Sequence, residues 1–256
     1  MSTILYTSPI FGPVHSRRLG VSLGVNLMPS DGKICSFDCI YCECGLNGDH
    51  KARQRRPTRE EVREGLVQVL KTRHENGEPL DVITFAGNGE PTGHPDFPGI
   101  IDDTIEARNM YFPNAKVSVL SNATFIDKET IRKALMKVDN NIQKLDTVDN
   151  AYIRLVDRPQ QPSYDVNKVI ENLKLFRGHV IIQTMFMHAE GAEDNCCESF
   201  VEPWMEAVKA IAPEQVMIYT IDRETPTAGL KKAEPAFLDD IKERIIKLGI
   251  PCSASY

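Results

Sequence analysis

Four cysteines fall within ten residues, Cys35, Cys39, Cys42 and Cys44, in the segment MPSDGKICSFDCIYCECG. The spacing is Cys-x3-Cys-x2-Cys, with the fourth thiol two residues further on. Thiolates this close in sequence meet at one metal centre only if the loop wraps around it. A structural zinc ion takes four tetrahedral ligands, usually from two separated knuckles, whereas here all four sulfurs crowd together. An electron-carrying [4Fe–4S] cluster takes one cysteine per iron, and a ferredoxin-like chain would carry a second matching run, which is missing. Three ligands leave one iron open to a non-protein group, which is chemically useful. The spacing is compatible with a [4Fe–4S] cluster on Cys35, Cys39 and Cys42, and with zinc or a plain redox cluster. Cys44, Cys196, Cys197 and Cys252 read as buried or incidental thiols, because a second cluster would need distant loops to meet. Seven cysteines in 256 residues do not suggest a disulfide framework.

Polar residues gather at the ends of apolar runs. DVITFAG is followed by Gly87-Asn88-Gly89-Glu90-Pro91-Thr92, where glycines let backbone approach a ligand closely and carbonyls can accept from an ammonium. The same residue types also make an ordinary turn. Ser121-Asn122 ends another run, and Lys144 and Asp146 share a face of the next by the strand period of two. An ammonium suits a carboxylate and a carboxylate suits two hydroxyls, though an ion pair is the plain reading of the same two residues. Arg158-Pro159, His188 and Glu190 are further candidates for substrate contact. His15, Arg17 and Arg18 are candidates for a lid, and Met185, Phe186 and Met187 read as strand core.

The Cys-x3-Cys-x2-Cys triplet, with the aromatic Tyr41 before its last cysteine, resembles the signature of the radical S-adenosylmethionine (SAM) superfamily. The resemblance implies a [4Fe–4S] cluster and SAM as cofactors, with the open iron chelated by the methionine end of SAM. Reductive cleavage would then give a 5′-deoxyadenosyl radical that abstracts hydrogen from substrate. GNGEPT is similar to the superfamily's GGEP-type motif, with Asn88 replacing one glycine. Ser121-Asn122-Ala123 looks like its Ser-Asn-Gly turn beside the SAM ribose. The resemblance nominates Tyr41, Gly89, Glu90, Asn122, Lys144 and Asp146 as cofactor-binding residues, Lys144 for the methionine carboxylate and Asp146 for a ribose hydroxyl. A flavodoxin- or ferredoxin-type reductant is implied. FGPVHSRRLGVSLGVNL, CSFDCIYC, GNGEPT and LVDRPQQPSYD look like the branch containing the wybutosine-synthesis enzymes. Those carry a second cluster on cysteines upstream of the triplet; no cysteine precedes Cys35 here, so that activity is not carried over.

Positioning these residues requires a regular scaffold. The β-branched runs Val21–Leu27, Asp81–Gly87, Lys116–Asn122, Ile142–Asp146, Val180–Met187 and Val216–Ile221 read as buried parallel strands. Between them, Thr58 with Glu61 predicts a capping box, Asp127 and Asp165 predict helix starts, and Glu198–Ile211 and Pro235–Leu248 predict two more helices. Strand alternating with helix implies an α/β fold, a partial (β/α)6 TIM-type barrel, with function at the C-terminal strand ends. Residues 1–256 are expected to form one domain, with 1–20 as an N-terminal extension and 33–46 as the cluster loop. The composition, 41% hydrophobic and 26% charged, is that of an ordinary globular protein. No membrane-length apolar run or secretory leader is visible, so a cytoplasmic location is expected. A net charge of −6 argues against a nucleic-acid coat, yet Lys51, Arg53, Arg55, Arg56 and Arg59 form a basic run that could meet phosphate. An RNA base, a peptide or protein, and a small metabolite all remain open as substrate.

Overall fold

The computed structural model describes residues 4–16, 20–49, 51–189 and 194–256. In chain order the elements are β1 (Ile10–Ser16), β2 (Gly20–Val25), α1 (Arg59–Glu75), β3 (Val82–Phe85), α2 (Phe97–Tyr111), β4 (Lys116–Ser121) and α3 (Glu129–Leu135). They continue with β5 (Asn140–Lys144), α4 (Asn150–Val156), α5 (Val166–Lys174), β6 (Ile181–Met185), β7 (Met187–Ala189) and α6 (Glu198–Ile211). The chain closes with β8 (Gln215–Tyr219), β9 (Leu230–Lys232), α7 (Pro235–Lys247) and β10 (Cys252–Ser255). The main sheet runs β1-β2-β3-β4-β5-β6-β8-β10, parallel from β2 onward, with β1 antiparallel on the edge. Each parallel strand lies beside its predecessor, which is the winding of a barrel rather than of a doubly wound sheet. The sheet is left open, β1 and β10 being its two edges.

All six expected strands are present, and a seventh parallel strand, β10, joins them. Its sequence, CSAS, has no apolar run to announce it, yet Cys252–Ser255 pair in register with Val216–Tyr219. The expected run Val180–Met187 breaks at Phe186, where the chain leaves the main sheet and β7 pairs with β9. The sequence does not announce helix α2, because Pro98 and Gly99 near its start look like a turn. Its buried stripe of Phe97, Ile100, Ile101, Thr104 and Ala107 has helical spacing.

Thr58 caps α1 as expected: its Oγ1 accepts from Glu61 N at 3.2 Å, and Thr58 N donates to Glu61 Oε2 at 2.7 Å. Asp165 caps α5 by accepting from Asn167 N. Asp127 does not cap α3, which starts one residue later with Lys128 at the cap and no side-chain bond to it.

Alternation along the strands divides two environments. Leu23, Val25, Ile83, Phe85, Val117, Val119, Ile182, Val216 and Ile218 join helix residues such as Leu66, Leu70, Ile101, Leu238 and Ile241 in one core. Each such fully buried side chain is worth roughly 1.5–3 kcal/mol. The opposite face carries Ser22, Thr84, Ser118 and Asn140 side by side on four neighbouring strands. Ser22 and Thr84 hydroxyls lie 2.8 Å apart, and Asn140 Nδ2 donates to Ser118 Oγ at 2.7 Å. Above this belt opens a cavity of about 510 Å3, lined by residues including Gly24, Tyr41, Cys42, Leu120, Met185 and Tyr219. Phe11 of β1 closes one side: a Cβ on Gly24 would come within 2.1 Å of its ring.

Candidate functional site

The loop from β2 to α1 carries the cysteines and is pinned from two directions. On one side Ile34 pairs with Gly89: Ile34 N donates to Asn88 O at 3.0 Å and Glu90 N to Ile34 O at 3.3 Å. Gly89 has φ +141°, and a Cβ there would lie 1.9 Å from Ile34 O. The glycine is thus required by the close approach of the cysteine loop itself. On the other side Asp38 N donates to Asp157 O, Ile40 N to Val156 O and Gln160 N to Ser36 O, all at 2.8–2.9 Å. The LVDRPQQ segment is therefore a clamp on the loop. Arg158, at φ +49°, turns an exposed side chain back to Leu155 O.

Asn88, where the family pattern has glycine, is wholly buried and joins three segments. It donates to Tyr6 O and Pro29 O and accepts from Tyr6 N. Glu90 accepts from Thr92 N at 3.0 Å and from Asn122 N at 2.7 Å, tying the end of β3 to the end of β4. Burial nevertheless raises its carboxyl above the usual range, outweighing those bonds. Asn122 Nδ2 reaches Ser36 Oγ at 2.8 Å and Cys35 Sγ at 3.6 Å. Ala123 holds φ +64° where glycine would be relaxed, so the turn keeps the glycine-type path at a cost of about 1–3 kcal/mol.

None of the seven cysteines is in a disulfide. Cys35, Cys39 and Cys42 are half-buried, while Cys44 is buried and donates to Gly87 O at 3.4 Å. Burial, then Glu90, pushes the Cys35 thiol up to about 12, and burial with Asp157 raises Cys39. Cys42 moves the other way, lowered by a hydrogen bond from Cys44 and by the Lys33 ammonium. Lys33 is 4% exposed, and its Nζ donates to Gly45 O at 2.7 Å. Burial works against its charge, but Cys42, Cys35 and Cys39 more than restore it. Sequence reasoning missed Lys33, since a lysine two residues before a cysteine carries no signal of its own.

The structure gathers Tyr41, Lys144 and Asp146 into one buried cluster and adds Asp157. The Lys144 ammonium contacts the Tyr41 hydroxyl and the Asp146 carboxylate, and lies 3.0 Å from Asp157 Oδ1. It also sits 4.6 Å from the Tyr41 ring centroid. Asp146 Oδ1 accepts from Met185 N at 2.9 Å. Burial alone would discharge Lys144; Asp146 and Asp157 reverse this and hold its pKa well above the ordinary value. Burial raises both carboxyls, Asp157 to about 6. Asp157 was the missed member, hidden in a segment far along the chain. Tyr41, Cys42 and Cys44 face the cavity, together with His15 and Met185. Phe186 instead packs edge-on against Trp204 and Phe237 in the outer core. Arg17, Arg18 and Glu190 lie outside the described residues.

The basic run divides. Arg55 forms a fork on Glu61 at 2.6–2.7 Å and Arg59 one on Asp103 at 2.7–2.8 Å, while Arg56 reaches Gly93 O at 3.2 Å. Lys51 and Arg53 are exposed.

Three half-buried thiols on one wrapped loop, turned toward different partners and backed by a buried ammonium, suit a bulky multinuclear centre. Residues 30–195 match the radical SAM superfamily. The chain belongs to that superfamily. Its cofactors are accordingly a [4Fe–4S] cluster and SAM. The chain is 30% identical over 235 residues to a UPF0026 protein of Helicobacter pylori strain J99, covering 90% of this chain and 71% of that one, and it belongs to the UPF0026 family. The fold is shared with a radical SAM methyltransferase from Sphaerobacter thermophilus (TM-score 0.66, 17% identity), over 92% of this chain and 66% of that one. It is also shared with TYW1 carrying a lysine–pyruvate adduct (TM-score 0.61, 13% identity), over 88% of this chain and 73% of that one. Radical SAM proteins are generally enzymes. No helix among the described residues is long and apolar enough to cross a membrane.

Proposed function

We propose that this radical SAM protein is an enzyme whose cluster is held by Cys35, Cys39 and Cys42, and that it acts on a substrate small enough to enter the cavity beside them. Cys35, Cys39 and Cys42 would hold the cluster, and the chemistry it would supply is one-electron reduction of SAM for hydrogen abstraction from the substrate. The observation that carries this reading is the cysteine loop, fixed by the Ile34–Gly89 contact and opening beside a 510 Å3 cavity. A volume of this size falls within the range of small-molecule sites, about 300–1,000 Å3.

The chain's own residues position and insulate. Lys33 offsets the negative charge of the thiolates in a low-dielectric setting. Glu90 ties the ends of β3 and β4 together; Gly89 and Glu90 would hold the methionine end of SAM, and Asn122 would lie beside its ribose. Lys144 would meet the methionine carboxylate and Asp146 would accept from a ribose hydroxyl. Tyr41 presents its ring at the cavity wall. Residues 1–256 act as one catalytic unit, supplied with electrons by a flavodoxin- or ferredoxin-type protein. The mutual pairing of Arg55 with Glu61 and Arg59 with Asp103 weighs against RNA as substrate.

The test is anaerobic reconstitution followed by reduction with dithionite in the presence of SAM. Formation of 5′-deoxyadenosine by wild type, and its loss in Cys35→Ala, Cys39→Ala and Cys42→Ala but not Cys44→Ala, is the expected result. An iron-loaded protein that binds SAM without ever releasing 5′-deoxyadenosine would identify a cluster-bearing binding or electron-transfer protein instead.

A further inference from the structure

Away from the cysteine triplet, a second set of ligating side chains meets where β6 and β7 end and α6 begins. His188 Nδ1 lies 3.0 Å from Asp194 Oδ2, and one ligand atom from each of His188, Asp194 and Cys196 falls within 4.8 Å of the other two. Asp194 is buried, and His188 and Cys196 are partly exposed. We propose that His188, Asp194 and Cys196 bind one thiophilic divalent cation of the zinc class.

The donor set is what selects the ion. Imidazole, carboxylate and thiolate together suit zinc, whereas calcium and magnesium take oxygen ligands. Zinc bonds of about 2.0–2.3 Å need the three atoms to close by only a modest amount from their present spread, a shift within reach of side-chain torsions. Electrostatics favours the same outcome. At this spacing the Asp194 carboxylate and a Cys196 thiolate would repel one another. A divalent cation turns that repulsion into shared ligation and releases the thiol proton.

The surroundings are rigid on the side that matters. Asp194 Oδ1 accepts from Cys196 N at 3.0 Å, which fixes the carboxylate relative to the Cys196 backbone. Between them Asn195 is buried; its Nδ2 donates to Met185 O at 2.6 Å and to Asp146 O at 3.1 Å, and its Oδ1 accepts from Met187 N at 3.2 Å. One residue therefore anchors the ligand loop directly to the backbone of Asp146, in the Lys144 cluster. Three protein ligands also leave a fourth zinc position for water or a substrate atom, as in catalytic rather than closed structural sites. The inference does not depend on SAM cleavage.

The experiment uses the anaerobically reconstituted full chain, incubated with zinc and desalted. Metal analysis should give about one zinc beside four irons, and zinc X-ray absorption should fit a single sulfur with nitrogen and oxygen neighbours. His188→Gln and Cys196→Ser should each lower zinc affinity by roughly tenfold or more, since loss of even an outer partner of a ligand costs that much. Iron content should not change, and Cys197→Ser and Cys252→Ser should retain zinc. Thermal melts in chelator, where all variants should match wild type, separate lost ligation from lost folding. Failure of wild type to retain zinc, zinc with three sulfur neighbours (ligation by the triplet), or undiminished zinc in Cys196→Ser would each overturn the proposal.

Discussion

Gly89 shows how much one residue type can decide. Its backbone sits where a Cβ would strike Ile34 O, at a φ that side chains rarely adopt. Gly89→Ala should cost about 1–3 kcal/mol of stability from backbone strain. Because the displaced neighbour belongs to the cysteine loop, reconstituted iron should fall well below the wild-type four per chain. Lys144 is the complementary case, a part-buried cation whose removal leaves Asp146 and Asp157 facing each other. Lys144→Ala should weaken SAM binding by about tenfold or more, the worth of a charge-assisted contact of roughly 1.5–3 kcal/mol. Equilibrium binding to the cluster-loaded protein checks this, with iron content unchanged. Unaltered SAM affinity would mean that the lysine serves only its internal ion pairs.

At the level of the element, α1 is the stop that ends the cysteine loop. Its buried stripe of Val62, Leu66 and Leu70 repeats every four residues, and its start is fixed by the Thr58–Glu61 box. Thr58→Ala should lower stability by about 1 kcal/mol in urea unfolding. The hydrogen bond from Arg55, then the backbone amide of Thr58, holds Glu61 down to about 2. A depressed carboxyl contributes its full stabilisation above its unfolded value and loses it as the pH falls through the folded one. The stability deficit of Glu61→Gln should accordingly be complete near neutral pH and shrink as the pH drops from about 4.5 toward 2. A deficit of equal size across that range would show that the box acts by geometry and not by charge.

For the whole molecule, the distribution of charge matters more than its local density. The net charge is −6, and Arg55 and Arg59 of the basic run are engaged by carboxylates. Filter binding at low ionic strength should therefore show no steep salt-dependent association with RNA, where a phosphate-binding surface would lose affinity with each counterion released. A steep slope that flattened in an Arg53→Ala, Arg55→Ala, Arg56→Ala variant would return RNA to the list of substrates.

Local chemistry was legible without coordinates wherever it is carried by near neighbours. The cysteine spacing, the GNGEPT turn, the capping box and six of the parallel strands depend on residues within a few positions of one another, and periodicity reports them directly. Lys144 and Asp146 were likewise readable as a pair because they are two residues apart. Tertiary structure alone decided the rest. Strand β10 has no apolar signature, since it is recruited by backbone pairing to β8 at the sheet edge. Asp157 reaches Lys144 only because the segment after α4 folds back over the cysteine loop. Lys33 acquires meaning from burial beside three thiols, a property of packing and not of spacing. His188, Asp194 and Cys196 converge because the chain leaves the sheet after β6 and returns through α6, and Asn195 pins the returning loop to Met185 and Asp146. Side chains separated along the chain acquire their partners only when long-range strand pairing brings their elements together, and no local pattern encodes that meeting.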